Sequence, residues 1–303
     1  MLKKLKVHLL TLPRWFAIPY FGASILLGAV LAGGQFNNPN LYLAFVACLL
    51  VMAGGHSFNT FLDYAWTKLD VGEVENRSAE KDYTGGQNVI ENKSVSLHGV
   101  FSNAICWYVL SAIPIVILCL HSTPLILIPW ILGMSCTVWY SISKFNYTHE
   151  LALGVAVGPL PVLIGMFAVN ASPPIMNGIL VSLPFAMTLS FMGLALDEWP
   201  DAEANLKKGV KSVAYKVWEY THQYGLVGLM AYCIGWIVFM ASYQTFLVSI
   251  GILHPMTGIA FIPLALLIPL MVMLTGNFRK TMMPVVAVGA LYCILILVGQ
   301  IIH

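Results

Sequence analysis

The sequence predicts an all-α, polytopic membrane protein of about nine transmembrane helices, with residues 1–303 forming one transmembrane domain. Composition is the first ground. Hydrophobic residues make up 59% of the chain and charged residues 9%, against roughly 25% charged in soluble domains. A soluble fold cannot cover that much apolar surface, and with a mean hydropathy of +0.82 the solvent it suits is lipid. The second ground is length: apolar runs of about 20 residues, enough to cross the hydrocarbon core, recur along the chain. The third is charge placement, because only alternate connections carry charged residues.

The runs fall near 15–34, 41–65, 97–120, 124–143, 151–170, 175–198, 222–243, 256–275 and 282–302. The first follows Lys3, Lys4 and Lys6 and so imitates a signal peptide. Arg14 interrupts the early run, however, and the stretch from Trp15 to Leu31 is long for a signal core, so a retained helix is expected. The second and sixth spans end in acidic motifs, and the fourth ends in Tyr140 and Lys144. The connections after the first, third, fifth and seventh spans are rich in Pro, Asn and Ser and carry no charge.

With nine spans, all 15 Lys and Arg lie on one side: in the N-terminal segment and after the second, fourth, sixth and eighth spans. The excess of positive charge on inner loops then places the N-terminus and these loops in the cytoplasm of a cell-membrane protein, with His303 outside. All 13 Asp and Glu fall on that same side. Acidic residues contribute little to orientation, so polar chemistry is concentrated at one face of the membrane. Two charged connections, 67–96 and 200–221, exceed the usual 2–8 residues between helices. Their length, charge and glycines read as lids over a site.

A net charge of +2 does not suit a nucleic-acid partner, and nothing calls for an obligate protein partner. Each of the six cysteines sits in an apolar run without a Cys or His neighbour at metal spacing, so they read as small core hydrophobes.

The chemistry lies at two helix ends. Asn59 and Asp63 are i, i+4 and share a face, with Asp70 on the same stripe if the helix continues. Asp197, Asp201 and Asn205 repeat that spacing, with Pro200 expected to break the helix between them. Position 59 to position 197 spans 138 residues, which suggests two four-helix halves and a ninth helix. Carboxylates near a membrane need a partner or water. Oxygen-only donors suit Mg2+, which keeps part of its shell for phosphate oxygens. Two facing carboxylate pairs can therefore hold a metal–diphosphate group. Solvated Asp residues in helix-end loops are the plain alternative.

Tyr140 and Lys144 share a helical face on the same side, as a diphosphate-binding step or as a snorkelling Lys beside an interfacial Tyr. Arg77 and Lys211 are further cations for a diphosphate, or solvated charges. Arg14 and Trp15 read as an interfacial anchor, with a substrate role as the alternative, and His56 as a packed helix-end histidine that could share the Asn59 face. Gly85 and Gly86 suit a flexible turn or backbone passing close to a ligand.

These residues resemble the UbiA superfamily of intramembrane prenyltransferases, whose motifs run NDxxDxxxD and DxxxDxxxD. The matching segments are Asn59 to Asp63 with Asp70 beyond, and Asp197 to Asp201 with Asn205 beyond. The Tyr140–Lys144 step and the segment Gly209 to Val213 also look like the family's. Thr60, Thr67 and Asn205 depart from the pattern, each standing where Asp is common. The resemblance implies helices around a central cavity, Mg2+ bridging an isoprenyl diphosphate, and cap loops. It implies Asp63, Asp197, Asp201, Tyr140 and Lys144 as catalytic residues. The metal set would be Asn59, Asp63, Asp70, Asp197, Asp201 and Asn205. Asn59, Arg77, Tyr140, Lys144 and Lys211 would bind the diphosphate. The stretch from Tyr83 to Ile90 is more similar to the menaquinone-type branch, implying a hydrophobic aromatic quinone precursor such as 1,4-dihydroxy-2-naphthoate as acceptor. An archaeal ether-lipid geranylgeranyltransferase is the alternative within the family. A secondary transporter is the rival of another class, although transporter sites lie near the midplane.

Overall fold

A computed structural model describes residues 5–69, 71, 89–90, 93–199, 202–274 and 278–302. Among them every regular element is helical. The helices are α1 (Ile18–Leu31), α2 (Pro39–Ala65), α3 (Leu97–His121), α4 (Leu127–Ser143), α5 (His149–Val157) and α6 (Pro159–Val169). They continue with α7 (Ile175–Ala186), α8 (Leu194–Glu198), α9 (Ala202–Lys207), α10 (Val213–Thr221), α11 (Leu226–Ser249), α12 (Phe261–Leu274) and α13 (Phe278–Ile301). Among the described residues seven segments are long and apolar enough to cross a membrane, and two shorter apolar helices, Ile18–Leu31 and Pro255–Leu270, occupy the places of the first and eighth predicted spans. The architecture is that of a multi-pass membrane protein.

Local sequence sets several starts. Asn38 accepts from the Asn40 amide at 3.0 Å with Pro39 opening α2, and Ser96 accepts from the Gly99 amide at 3.1 Å to cap α3. The fifth predicted span is two helices, α5 and α6, meeting at Gly158. Pro161 has no amide hydrogen for the Val157 carbonyl one turn back, which instead accepts from Ser24 Oγ at 3.1 Å. The sixth span is distorted for the same reason. Pro184 leaves the Leu180 carbonyl free, and Tyr243 donates to it at 3.1 Å. A π-helical stretch, Met187–Gly193, follows and resets the register ahead of Asp197.

Close backbone contact fixes the packing of α1 on α6. A Cβ on Gly28 would lie 2.0 Å from the Val162 carbonyl oxygen, and one on Gly165 would lie 2.0 Å from that of Ile25. Only glycine permits this crossing, the small-residue packing that membrane helices use. Phe58 and Phe61 of α2 meet Phe101 and Tyr108 of α3 in an aromatic cluster.

The bundle has a charged end and an uncharged one. At the uncharged end Asn40 donates to Ala168 O at 3.0 Å, Asn170 to Ala32 O at 3.3 Å and Ser122 to Phe167 O at 2.5 Å. At the charged end the segment after α4 and the segment between α9 and α10 are joined by backbone bonds, Lys211 N to Lys144 O at 2.6 Å and Tyr147 N to Lys211 O at 3.0 Å. The second predicted loop, 200–221, thus contains two short helices, α9 and α10, rather than loop alone.

Candidate active site

The last two turns of α2 bring Asn59 and Asp63 together, as their spacing predicts: Asn59 Nδ2 donates to Asp63 Oδ2 at 3.0 Å. Ser141 of α4 donates to Asn59 Oδ1 at 2.9 Å, which fixes the amide's orientation. Asp63 is 2% exposed and collects two further partners. Lys144 Nζ lies 2.6 Å from Oδ2, and the Thr67 hydroxyl donates to Oδ1 at 3.2 Å. Thr67 stands where the family pattern has its last carboxylate, and here it supports the first Asp. A buried carboxylate needs such a set of donors to remain charged. Lys144 also lies 5.5 Å from the Tyr140 ring centroid.

Asp197 ends α8 and lines the same cavity as Asn59 and Tyr140. Its neighbour Glu198 points elsewhere, to His149 Nε2 at 3.0 Å and Ser212 Oγ at 3.1 Å. The cavity has a volume of about 190 Å³. Arg14, His56, Asn59, Tyr140 and Asp197 line it where α2, α4 and α8 reach the charged end. Met52, Gly133 and Leu189 line it seven or eight residues back along those helices, about 10 Å deeper in the bundle. It is polar at its mouth and apolar in its depth.

Arg14 stands at the cavity, where the alternative to a plain anchor would need it. It is not only an interfacial residue: its backbone is left-handed (φ 53°), its side chain lines the cavity, and Nη2 lies 3.4 Å from Thr60 Oγ1. A non-glycine residue in that conformation carries strain, and the guanidinium Nε is buried without a hydrogen-bond partner among the described residues. His56, expected as a packed histidine, also faces the cavity. His149, Glu198 and Ser141 were not singled out by sequence, since the partner of each lies far along the chain.

Other expected residues lie elsewhere. Asp70, Arg77 and Asp201 fall outside the described residues. Asn205 donates to the Tyr215 hydroxyl at 2.6 Å. The Lys211 side chain is exposed and does not line the cavity, and it is the Lys211 backbone that meets Lys144. Lys207 donates to Glu203 at 2.7 Å and holds that exposed carboxyl below the usual range.

The donor chemistry fits a hard divalent cation. Asn59, Asp63 and Asp197 offer only oxygens, and Asp63 already holds a cation, the Lys144 ammonium. Among the described residues no three His, Cys, Asp or Glu cluster tightly enough to enclose a metal by themselves. The remaining ligands must come from substrate oxygens, water or the undescribed acidic residues.

No family model and no curated protein matches the sequence. Solved structures do match the fold. A UbiA homologue from Aeropyrum pernix K1, in its apo form, aligns over 94% of this chain and 97% of its own, with a TM-score of 0.66 and 15% identity. A structure described as bearing on digeranylgeranylglyceryl phosphate synthase aligns over 99% and 98%, with a TM-score of 0.61 and 16% identity. A UbiA homologue from Archaeoglobus fulgidus, bound to DMAPP and Mg2+, aligns over 96% and 98%, with a TM-score of 0.55 and 14% identity. Over nearly its whole length, the chain has the fold of the UbiA homologues.

Proposed function

We propose that the protein is an intramembrane, Mg2+-dependent prenyltransferase that moves a polyisoprenyl group from its diphosphate to an aromatic quinone precursor of the 1,4-dihydroxy-2-naphthoate type. The observation that carries this reading is the polarity of one cavity. Asn59 and Asp197 line its charged end together with Arg14, the Asp63–Lys144 pair lies directly behind Asn59, the Tyr140 ring stands in its wall, and apolar residues line its depth. A diphosphate head on a hydrocarbon tail has the complementary distribution. The fold shared with UbiA homologues supports the same assignment.

Asn59, Asp63 and Asp197 would hold Mg2+, with Asp70 and Asp201 as further oxygens. The metal neutralises the diphosphate and makes it a better leaving group. Lys144 donates to diphosphate oxygens, assisted by Arg77. As the C1–O bond to diphosphate breaks, the Tyr140 ring offers its negative face to the allylic cation. A ring carbon of the acceptor then bonds to C1 and loses its proton, with no covalent enzyme intermediate. The charged end faces the cytoplasm in this reading, since it carries the Lys and Arg.

Arg14 adds a fixed positive charge to the cavity wall, suited to an anionic acceptor. A ring carboxylate fits, and so does the phosphate of a prenylated glycerol. The second choice has its own support in the structural match to the digeranylgeranylglyceryl phosphate synthase work. The test is purified protein with Mg2+, labelled geranylgeranyl diphosphate, and dihydroxynaphthoate, hydroxybenzoate, homogentisate or geranylgeranylglyceryl phosphate. A prenylated dihydroxynaphthoate supports the first reading and a prenylated glyceryl phosphate the second. Label transfer to none of them counts against both.

A further inference from the structure

We propose that the buried pair His149–Glu198 is a positioning device that couples the segment between α9 and α10 to Tyr140, a role that rests on the prenyl-transfer reading above. Successive helical residues point about 100° apart, so with Asp197 facing the cavity Glu198 turns away from it. There it meets His149, which is fully buried at the start of α5. The His149 ring stacks on Tyr140 with centroids 4.0 Å apart and planes 32° apart. His149 Nδ1 lies 3.0 Å from the Tyr140 carbonyl oxygen, and Nε2 lies 3.0 Å from Glu198 Oε1. Ser212 donates to Glu198 Oε2 at 3.1 Å and accepts from the Tyr215 amide at 3.2 Å. The Tyr215 hydroxyl accepts from Asn205 at 2.6 Å. One continuous path thus joins Tyr140 to Asn205, the last position of the second motif. The backbone bonds of Lys211 to Lys144 and Tyr147 run beside it.

Tyr140 alone among these path residues lines the cavity, so the pair acts through Tyr140 and through the segment it ties down. Stability by itself does not account for it, because well-packed apolar residues do as well as a buried ion pair. What the pair supplies is a fixed arrangement: one face of Tyr140 is covered, the ring is held in the cavity wall, and the 205–215 segment is locked across the charged end. A cation formed at C1 is exposed to a competing reaction, in which a water oxygen bonds to C1 as the C1–O bond to diphosphate breaks and the water's proton passes to solvent. The products are prenol and diphosphate. Keeping the segment locked keeps that water out.

The test compares wild type, Glu198→Ala, His149→Ala and the conservative Glu198→Gln. Backbone amide exchange at Lys211 and Tyr215, measured without substrate, should rise about tenfold in both alanine variants while α13 is unchanged. The ratio of prenol to prenylated acceptor should rise about tenfold. The KM for the prenyl diphosphate should stay near wild type, because the Asp63–Lys144 end is intact, and Glu198→Gln should restore both readouts. Unchanged exchange, an unchanged product ratio, or a parallel fall of both products with a lost melting transition overturns the coupling. A wild-type protein that releases no diphosphate at all sinks the prenyl-transfer reading instead, and the exchange data then decide by themselves whether the pair locks the segment.

Discussion

Replacing Asp63 tests the centre of the site. Its carboxylate is 2% exposed and is held by Lys144 at 2.6 Å, Asn59 at 3.0 Å and Thr67 at 3.2 Å. Asp63→Ala removes the carboxylate held 2.6 Å from an ammonium that is 13% exposed. Breaking a buried pair costs about 3–5 kcal/mol. Partial access of Lys144 to water lowers the expected loss to about 2–3 kcal/mol, a fall of roughly 5 °C in melting temperature. Adding Lys144→Met removes the other half of the pair, so the double variant should recover about 2 kcal/mol relative to Asp63→Ala. Prenyl transfer should stay at least about 100-fold down in the single and double variants alike, since both lack the Asp63 carboxylate. Thermal unfolding in detergent reads the first effect and product formation the second. A stable Asp63→Ala, or a double variant whose losses simply add, would refute a working ion pair at this position.

Asn59→Ala removes an oxygen donor and the partner of Ser141, so the Mg2+ concentration for half-maximal activity should rise about 10–100-fold, as a magnesium titration would show. Tyr140→Ala should cut kcat roughly 30-fold if the ring stabilises a desolvated cation, while Tyr140→Phe stays close to wild type. Gly165→Ala puts a methyl 2.0 Å from the Ile25 carbonyl and should cost about 1–3 kcal/mol in thermal unfolding. Gly235→Ala, with no neighbour within 4 Å, should be neutral or stabilising by about 0.5–1 kcal/mol.

The positions of the membrane helices were legible because lipid imposes a length and an apolar composition on every span. The Asn59–Asp63 contact was legible because it follows from helical spacing. What sequence missed depends on contacts distant in the chain. Before Asp197 the chain turns π-helical just after Pro184, and the Leu180 carbonyl that Pro184 leaves free is taken up by Tyr243, 63 residues away from it. The His149–Glu198 pair spans 49 residues. Arg14 reads as an anchor until its left-handed backbone places it in the cavity wall. The break at Gly158 did have a local signal, in Pro159 and Pro161. Ser212, capping α10, likewise marked a helix inside an expected loop.

The most direct measurement is diphosphate release by purified protein supplied with geranylgeranyl diphosphate, an acceptor and Mg2+, repeated with Asp197→Asn. A prenyltransferase built on this cavity releases diphosphate in step with prenylated product, stops when Mg2+ is chelated, and is nearly silent in the variant. Release that ignores Mg2+ and Asp197, or uptake of a solute into proteoliposomes with no prenylated product, contradicts it.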